Sequence, residues 1–237
     1  MLKRAALILC IACAAVAADA QPAQAQQTLN VTFGLFTVRG EDARVENDVL
    51  VENRNYFAFD IKDFNGPTAG IEWLIPLGNY IEAGAGAGLM RRTVSSVYEN
   101  FTNIDDSEIE QDLHLRIVPV AFTIRVLPLG QSSAVQPYLG GGLGVFSWRY
   151  SESGEFIDFT RNNAVFREQY VASGSATGPI VLGGIRFAGA SVSAGFEARY
   201  QSADADLGAR FSSPALEPRI DLGGWTYQAT VGIRFGR

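Results

Sequence analysis

From Tyr227 to Gly236 the chain alternates without a break. Tyr227, Ala229, Val231, Ile233 and Phe235 fall on one side of an extended backbone. Gln228, Thr230, Gly232, Arg234 and Gly236 fall on the other. Successive side chains of a β-strand point to opposite faces, so this period of two predicts a strand with one apolar and one small or polar face. The pattern recurs at 191–201, 81–90 and 69–75. It is weaker but readable at 29–39, 113–127, 136–150 and 178–187. In 113–127 the apolar face is Val118, Val120, Phe122, Ile124 and Val126, with Arg125 on the other face and Pro119 marking an irregular pairing. Beyond residue 25 no stretch reaches 18 consecutive apolar residues, so no helical membrane span is expected. The reading is all-β with eight strands.

The connections alternate in length. Those at 76–79, 128–136 and 188–189 are short; those at about 40–66, 96–112, 152–177 and 202–223 are long. Eight strands joined this way around a ring put every short turn at one end and every long loop at the other. That asymmetry is the one of outer-membrane barrels, with short periplasmic turns and longer external loops. Charge placement agrees. Of the 24 acidic residues beyond residue 25, 21 fall in the four long connections, and the others are Glu72, Glu82 and Glu197 on small or polar strand faces. The N-terminus reads as an export signal: Lys3 and Arg4, an apolar run from Ala5 to Ala17, and Ala-x-Ala sites at 18–20 and 23–25. The expected organisation is a signal peptide over 1–25 and one barrel domain over 26–237. Both cysteines, Cys10 and Cys13, lie in the signal, so no disulfide framework is expected. A net charge of −6 argues against nucleic acid as a partner, and 47% hydrophobic residues exclude a largely disordered chain.

Periodicity does not say which face is inside. A soluble lipocalin-like barrel has an apolar interior, and a membrane barrel inverts this. The charge-free apolar faces and the aromatics Tyr227 and Phe235 at the two ends of the last one favour the membrane. Eight strands leave an interior just wide enough for side chains. Glu72, Glu82 and Glu197 with Arg125, Arg186, Arg199 and Arg234 would fill it as a paired network, because buried charges need partners. A conducting lumen is the alternative.

With these features the chain resembles the small outer-membrane β-barrel proteins, the class of the OmpA membrane domain and OmpX. The residues that carry the resemblance are the export signal, the Gly-rich strand Tyr138–Phe146 and the final alternating strand. In that class the last strand, with its terminal aromatic, is read by the assembly machinery. Tyr227, Ala229, Val231, Ile233 and Phe235 match it, although Gly236 and Arg237 overhang the aromatic. No peptidoglycan-binding domain is expected to follow, so that anchoring role is not expected to transfer. The resemblance implies outer-membrane lipid, lipopolysaccharide and the assembly machinery as partners, and a monomer.

Catalysis has few candidates. Asp112 and the one histidine, His114, share a strand face, as in Asp-x-His proteases, and no serine lies two residues from His114. Asp105, Asp106, Glu108 and Glu110 crowd one loop but lack the spaced EF-hand pattern, so no metal or other cofactor is expected. Arg39, Arg91, Arg92, Arg116 and Arg149 lie at the outer ends of strands. Four of these, Arg91, Arg92, Arg116 and Arg149, come from three consecutive strands and are placed to meet lipopolysaccharide phosphates; the competing expectation pairs them with the acidic loops. Tyr56, Phe57, Phe59, Ile61 and Phe64 in the first long connection face Phe156, Ile157, Phe159 and Phe166 in the third, either as packing or as an adhesive surface. The functional expectation is a non-catalytic integral barrel serving envelope integrity or surface interaction. The alternatives are an enzyme acting on lipid A or peptides, and a small channel.

Overall fold

The computed structural model describes residues 26–208, 211 and 217–236; the expected signal peptide, 1–25, lies outside them. Among the described residues ten strands form: β1 (Gln27–Val38), β2 (Gly66–Pro76), β3 (Ile81–Thr102), β4 (Glu108–Val126), β5 (Val135–Asp158), β6 (Ala164–Ala188), β7 (Val192–Gln201), β8 (Asp204–Asp206), β9 (Arg219–Asp221) and β10 (Gly224–Phe235). Eight of them close a barrel. Each neighbour in β1 to β7 pairs antiparallel with the next, and β10 pairs with both β7 and β1. Strands β8 and β9 form a separate two-stranded sheet within the fourth long connection.

Outward side chains of the barrel strands make an apolar belt. Leu29, Val31, Phe33 and Leu35 on β1, Val120, Phe122, Ile124 and Val126 on β4, and Val231 and Ile233 on β10 are all exposed. Aromatics mark its ends. Trp225, tilted against Tyr200 at 5.1 Å and stacked on Tyr227 at 6.1 Å, lies at the outer end, and Trp73 and Phe235 lie at the inner end. A continuous ring of exposed aliphatic and aromatic groups is unfavourable in water and favourable in hydrocarbon, and the barrel is therefore transmembrane. Among the described residues no helix is long and apolar enough to cross a membrane, so the crossing is made by strands alone.

The second and third long connections are not loops. Strands β3 and β4 continue to a turn at 103–107, and β5 and β6 pair without interruption from Val135↔Phe187 to Asp158↔Ala164. The expectation of loops at 96–112 and 152–177 is corrected: two hairpins rise beyond the belt as one sheet. Strand β4 shows the boundary. Its inner-half residues alternate apolar outside and polar inside, as Phe122 and Ile124 against Thr123 and Arg125. Beyond Arg116 the pattern inverts: Glu108 and Glu110 are exposed, and Ile109, Leu113 and Leu115 are buried. An outward face that meets water must be polar, so its inward face takes over the apolar role.

The first connection folds over the mouth. Short 3-10 turns at Glu41–Ala43 and Ile61–Phe64 flank helix α1 (Val49–Asn53). Asp48 caps α1, accepting from the backbone N–H groups of Leu50 and Val51 at 3.0 and 3.4 Å. Val49, Leu50, Ile61 and Phe64 then seat in a core built from Leu113, Leu115, Phe146, Trp148 and Ile180 of the strands and Ile220 and Leu222 of the fourth connection.

Candidate functional site

The interior has two storeys. In the outer half it is the apolar core just described, which differs from the expectation of a lumen filled by charges throughout. In the inner half are the ion pairs. Nη2 of Arg125 donates to Glu72 at 2.6 Å and to Glu197 at 2.7 Å. Arg199 donates to Glu72 at 2.9 Å and to Glu197 at 2.8 Å. Arg186 forks onto both oxygens of Glu82 at 3.2 and 2.9 Å, and Nη1 of Arg125 lies 3.9 Å from the same carboxylate. Three arginines face three glutamates, and all but Arg199 are buried.

Neutral groups that parity alone did not single out complete this set. Tyr138 donates to Glu197 at 3.1 Å and stacks under the Arg125 guanidinium at 4.7 Å. Gln136 accepts from Arg186 at 2.7 Å, and Gln228 donates to Glu197 at 2.9 Å. Each shares the lumen-facing parity of its strand, the one signal that pointed to it. Glycine makes the room: a Cβ on Gly84 would lie 2.6 Å from the Thr123 hydroxyl and 3.5 Å from Glu72, and one on Gly140 would press on the backbone at Ile124 and Arg125. A cavity of about 40 Å³ beside Glu72, Gly86, Arg199 and Gln228 has room for a water or two.

Arg234 is the correction to the expected network. It shares the parity of the others but sits at the inner rim, where Nη1 donates to the backbone carbonyl of Gly189, and it forms no ion pair among the described residues. Parity fixes a face, not a height.

On the outside, Arg91, Arg116 and Arg149 are direct cross-strand partners on β3, β4 and β5, and all three are exposed. None of them forms an ion pair among the described residues. Like charges facing each other across strands are unfavourable, so this row carries an unsatisfied demand for anions. Arg92 does not belong to it. It alternates onto the opposite face, and its Nε donates to the carbonyl of Asp63 at 2.6 Å. Arg39 is the one arginine of the outer set that meets an acid, Asp221 at 3.0 Å.

Asp112 and His114 stay apart. Asp112 accepts from Ser95 at 2.6 Å, while His114 lies 2.8 Å from the Thr93 hydroxyl and 3.4 Å from that of Ser153. In the first connection Phe57 packs edge-on to Tyr98 at 4.6 Å, and Phe101 meets Phe159 at 5.4 Å, so the aromatics tie the first connection and the two hairpin tips together. Buried ties also join the first and fourth connections. Arg44 donates to Asp48 at 2.7 and 3.0 Å and to the carbonyl of Asp221, and Asp48 accepts from the Asp221 N–H.

Residues Tyr227, Ala229, Val231, Ile233 and Phe235 lie on the outward face of β10, opposite Leu35, Phe33, Val31, Leu29 and Gln27 of β1, at the seam that closes the ring.

No family model and no curated protein matches the chain. Among solved structures it is similar to Ail, the attachment invasion locus protein of Yersinia pestis, at 12% identity and a TM-score of 0.48, covering 90% of this chain and 99% of that one. It is also similar to Neisserial surface protein A, at 12% identity and 0.44, covering 89% and 97%. The N-terminal β-barrel domain of Pseudomonas aeruginosa OprF matches at 12% identity and 0.39, covering 90% and 100%.

Proposed function

We propose that this protein is an outer-membrane barrel with a sealed interior, which serves the envelope as a non-catalytic, monomeric structural and surface element. The observation that carries this reading is the filled lumen. An apolar core stands above a set of paired charges, and the first connection is packed over both. Such a barrel has no path for solutes and acts through its outside. The export signal read at 1–25 and the belt support the outer membrane as its place. The β10 face from Tyr227 to Phe235, at the closing seam, fits recognition by the assembly machinery. The row Arg91, Arg116 and Arg149 fits contact with lipopolysaccharide phosphates, which guanidinium groups bind through two parallel hydrogen bonds.

Planar-bilayer recording tests the sealed interior: the reading expects no discrete conductance from the purified protein, and stable unitary steps would contradict it. Binding to lipid A vesicles tests the row. Arg91→Ala, Arg116→Ala and Arg149→Ala together should abolish salt-sensitive binding, and unchanged binding would remove the phosphate contact from the account.

A further inference from the structure

Above the arginine row the outward face of the hairpin sheet changes chemistry. Within four residues along β4, about 13 Å of strand, guanidinium groups give way to hydroxyls and carboxylates. A surface cavity of about 560 Å³ opens there, between Ser95, Glu110, Asp112, Ser153 and Arg167, with Ala58 of the first connection as one wall. That is within the size range of small-ligand sites.

Its polar groups are held ready. Ser95 fixes one oxygen of Asp112 at 2.6 Å, and the second oxygen accepts no hydrogen bond from any described residue. His114 bridges Thr93 and Ser153 just below. Arg167 is neutralised by Glu155 at 3.1 Å, whereas Glu110 and Asp112 form no ion pair among the described residues. Two carboxylates without a cation repel phosphate. Among the described residues no third His, Cys, Asp or Glu joins them to hold a metal ion. Carboxylate and hydroxyl oxygens mounted on rigid strands match ligands that present several O–H donors at once, which is the chemistry of a neutral sugar. The position narrows the source. A glycolipid with its phosphates on the arginine row carries its sugars outward, along this face.

We propose that the cavity binds neutral sugars of the core oligosaccharide of lipopolysaccharide. The inference rests on the reading of the arginine row as a phosphate contact. The test uses the purified full chain in detergent and two separate probes: lipid A, which lacks the core sugars, and core oligosaccharide released from lipopolysaccharide by mild acid. The wild type is expected to bind both. Asp112→Ala and, independently, Ser153→Ala should weaken oligosaccharide binding at least tenfold and leave lipid A binding unchanged; Arg116→Ala should do the reverse. Heat-modifiable gel migration identifies folded variants, and Asp112→Asn serves if Asp112→Ala does not fold. Absence of oligosaccharide binding, or binding indifferent to both groove variants, overturns the proposal. Absence of lipid A binding with oligosaccharide binding intact overturns the phosphate contact and leaves the groove standing.

Discussion

Arg125 of β4 meets Glu72 of β2 at 2.6 Å across the lumen, and the same nitrogen reaches Glu197 of β7 on the far wall at 2.7 Å. One guanidinium therefore ties three strands that share no backbone hydrogen bonds. Arg125→Ala leaves the buried carboxylates of Glu72 and Glu197 to share Arg199 alone, and losing the central cation of a buried set costs about 3–5 kcal/mol. Arg234→Ala, at the half-exposed rim, should stay within about 0.5 kcal/mol of wild type. Urea midpoints in detergent measure both; equal midpoints would show that the network carries no stability.

Glu82 gives a second comparison. It is the partner of Arg186 and is buried, whereas Glu108 is exposed at a hairpin tip. Glu82→Ala should lower the unfolding midpoint more than Glu108→Ala. It should not open a pore, because Leu113, Phe146, Trp148 and Ile180 close the outer half independently. Conductance in Glu82→Ala would mean that the ion pairs alone hold the lumen shut.

Asp48 anchors the first connection to the fourth through Arg44 and the Asp221 backbone. Asp48→Ala uncaps α1 and strands a buried guanidinium, a loss on the order of 3 kcal/mol localised to the mouth. Limited proteolysis should then cleave within 40–65 at least tenfold faster, while the barrel itself stays resistant. Unchanged cleavage would contradict the clamp.

Glu152 lies beyond the belt, buried, and accepts from Asn53 at 2.6 Å and Tyr150 at 2.9 Å, with no cation paired to it among the described residues. Burial pushes its carboxyl above the usual range, against the two donors that hold it down. The folded state therefore binds its proton more tightly than the unfolded state does. Stability is greatest below the ordinary glutamate range and declines as pH rises from that range through the raised folded value. Glu152→Gln keeps the bonds and removes the charge, so it should flatten this decline in thermal melts between pH 4 and 8, an interval that brackets the ordinary glutamate range of about 4.3. An identical pH profile in both proteins would exclude Glu152 as its source.

Much of this architecture was legible because period two is a local signal. Tyr227 to Phe235 and Ala83 to Leu89 declared their faces without reference to the rest of the chain. The hairpins beyond the belt were not legible. Residues 91–102 and 164–177 lose the apolar outward face because it meets water there, while inward residues such as Val94, Tyr98, Ala172 and Ala176 are buried, so the faces exchange roles partway along one strand. The ion pairs were half legible. Parity put Arg125, Arg186 and Arg199 inside with Glu72, Glu82 and Glu197, but it gave no height along the barrel, and so Arg234 was drawn in with them. The inversion at Arg116 hid the apolar upper core, because Leu113 and Leu115 lie on the same face as Arg125.

The central claim is that the aliphatic face of these strands meets lipid and the other face is sealed inside. The native tryptophans test it. Trp73 and Trp225 lie on the belt, and Trp148 is buried in the interior. In vesicles of lipids brominated on their acyl chains, Trp148→Phe, which keeps only the belt tryptophans, should be strongly quenched. The double variant Trp73→Phe, Trp225→Phe, which keeps only Trp148, should fluoresce as it does in unbrominated lipid. Quenching of Trp148 with sparing of Trp73 and Trp225 would contradict the account.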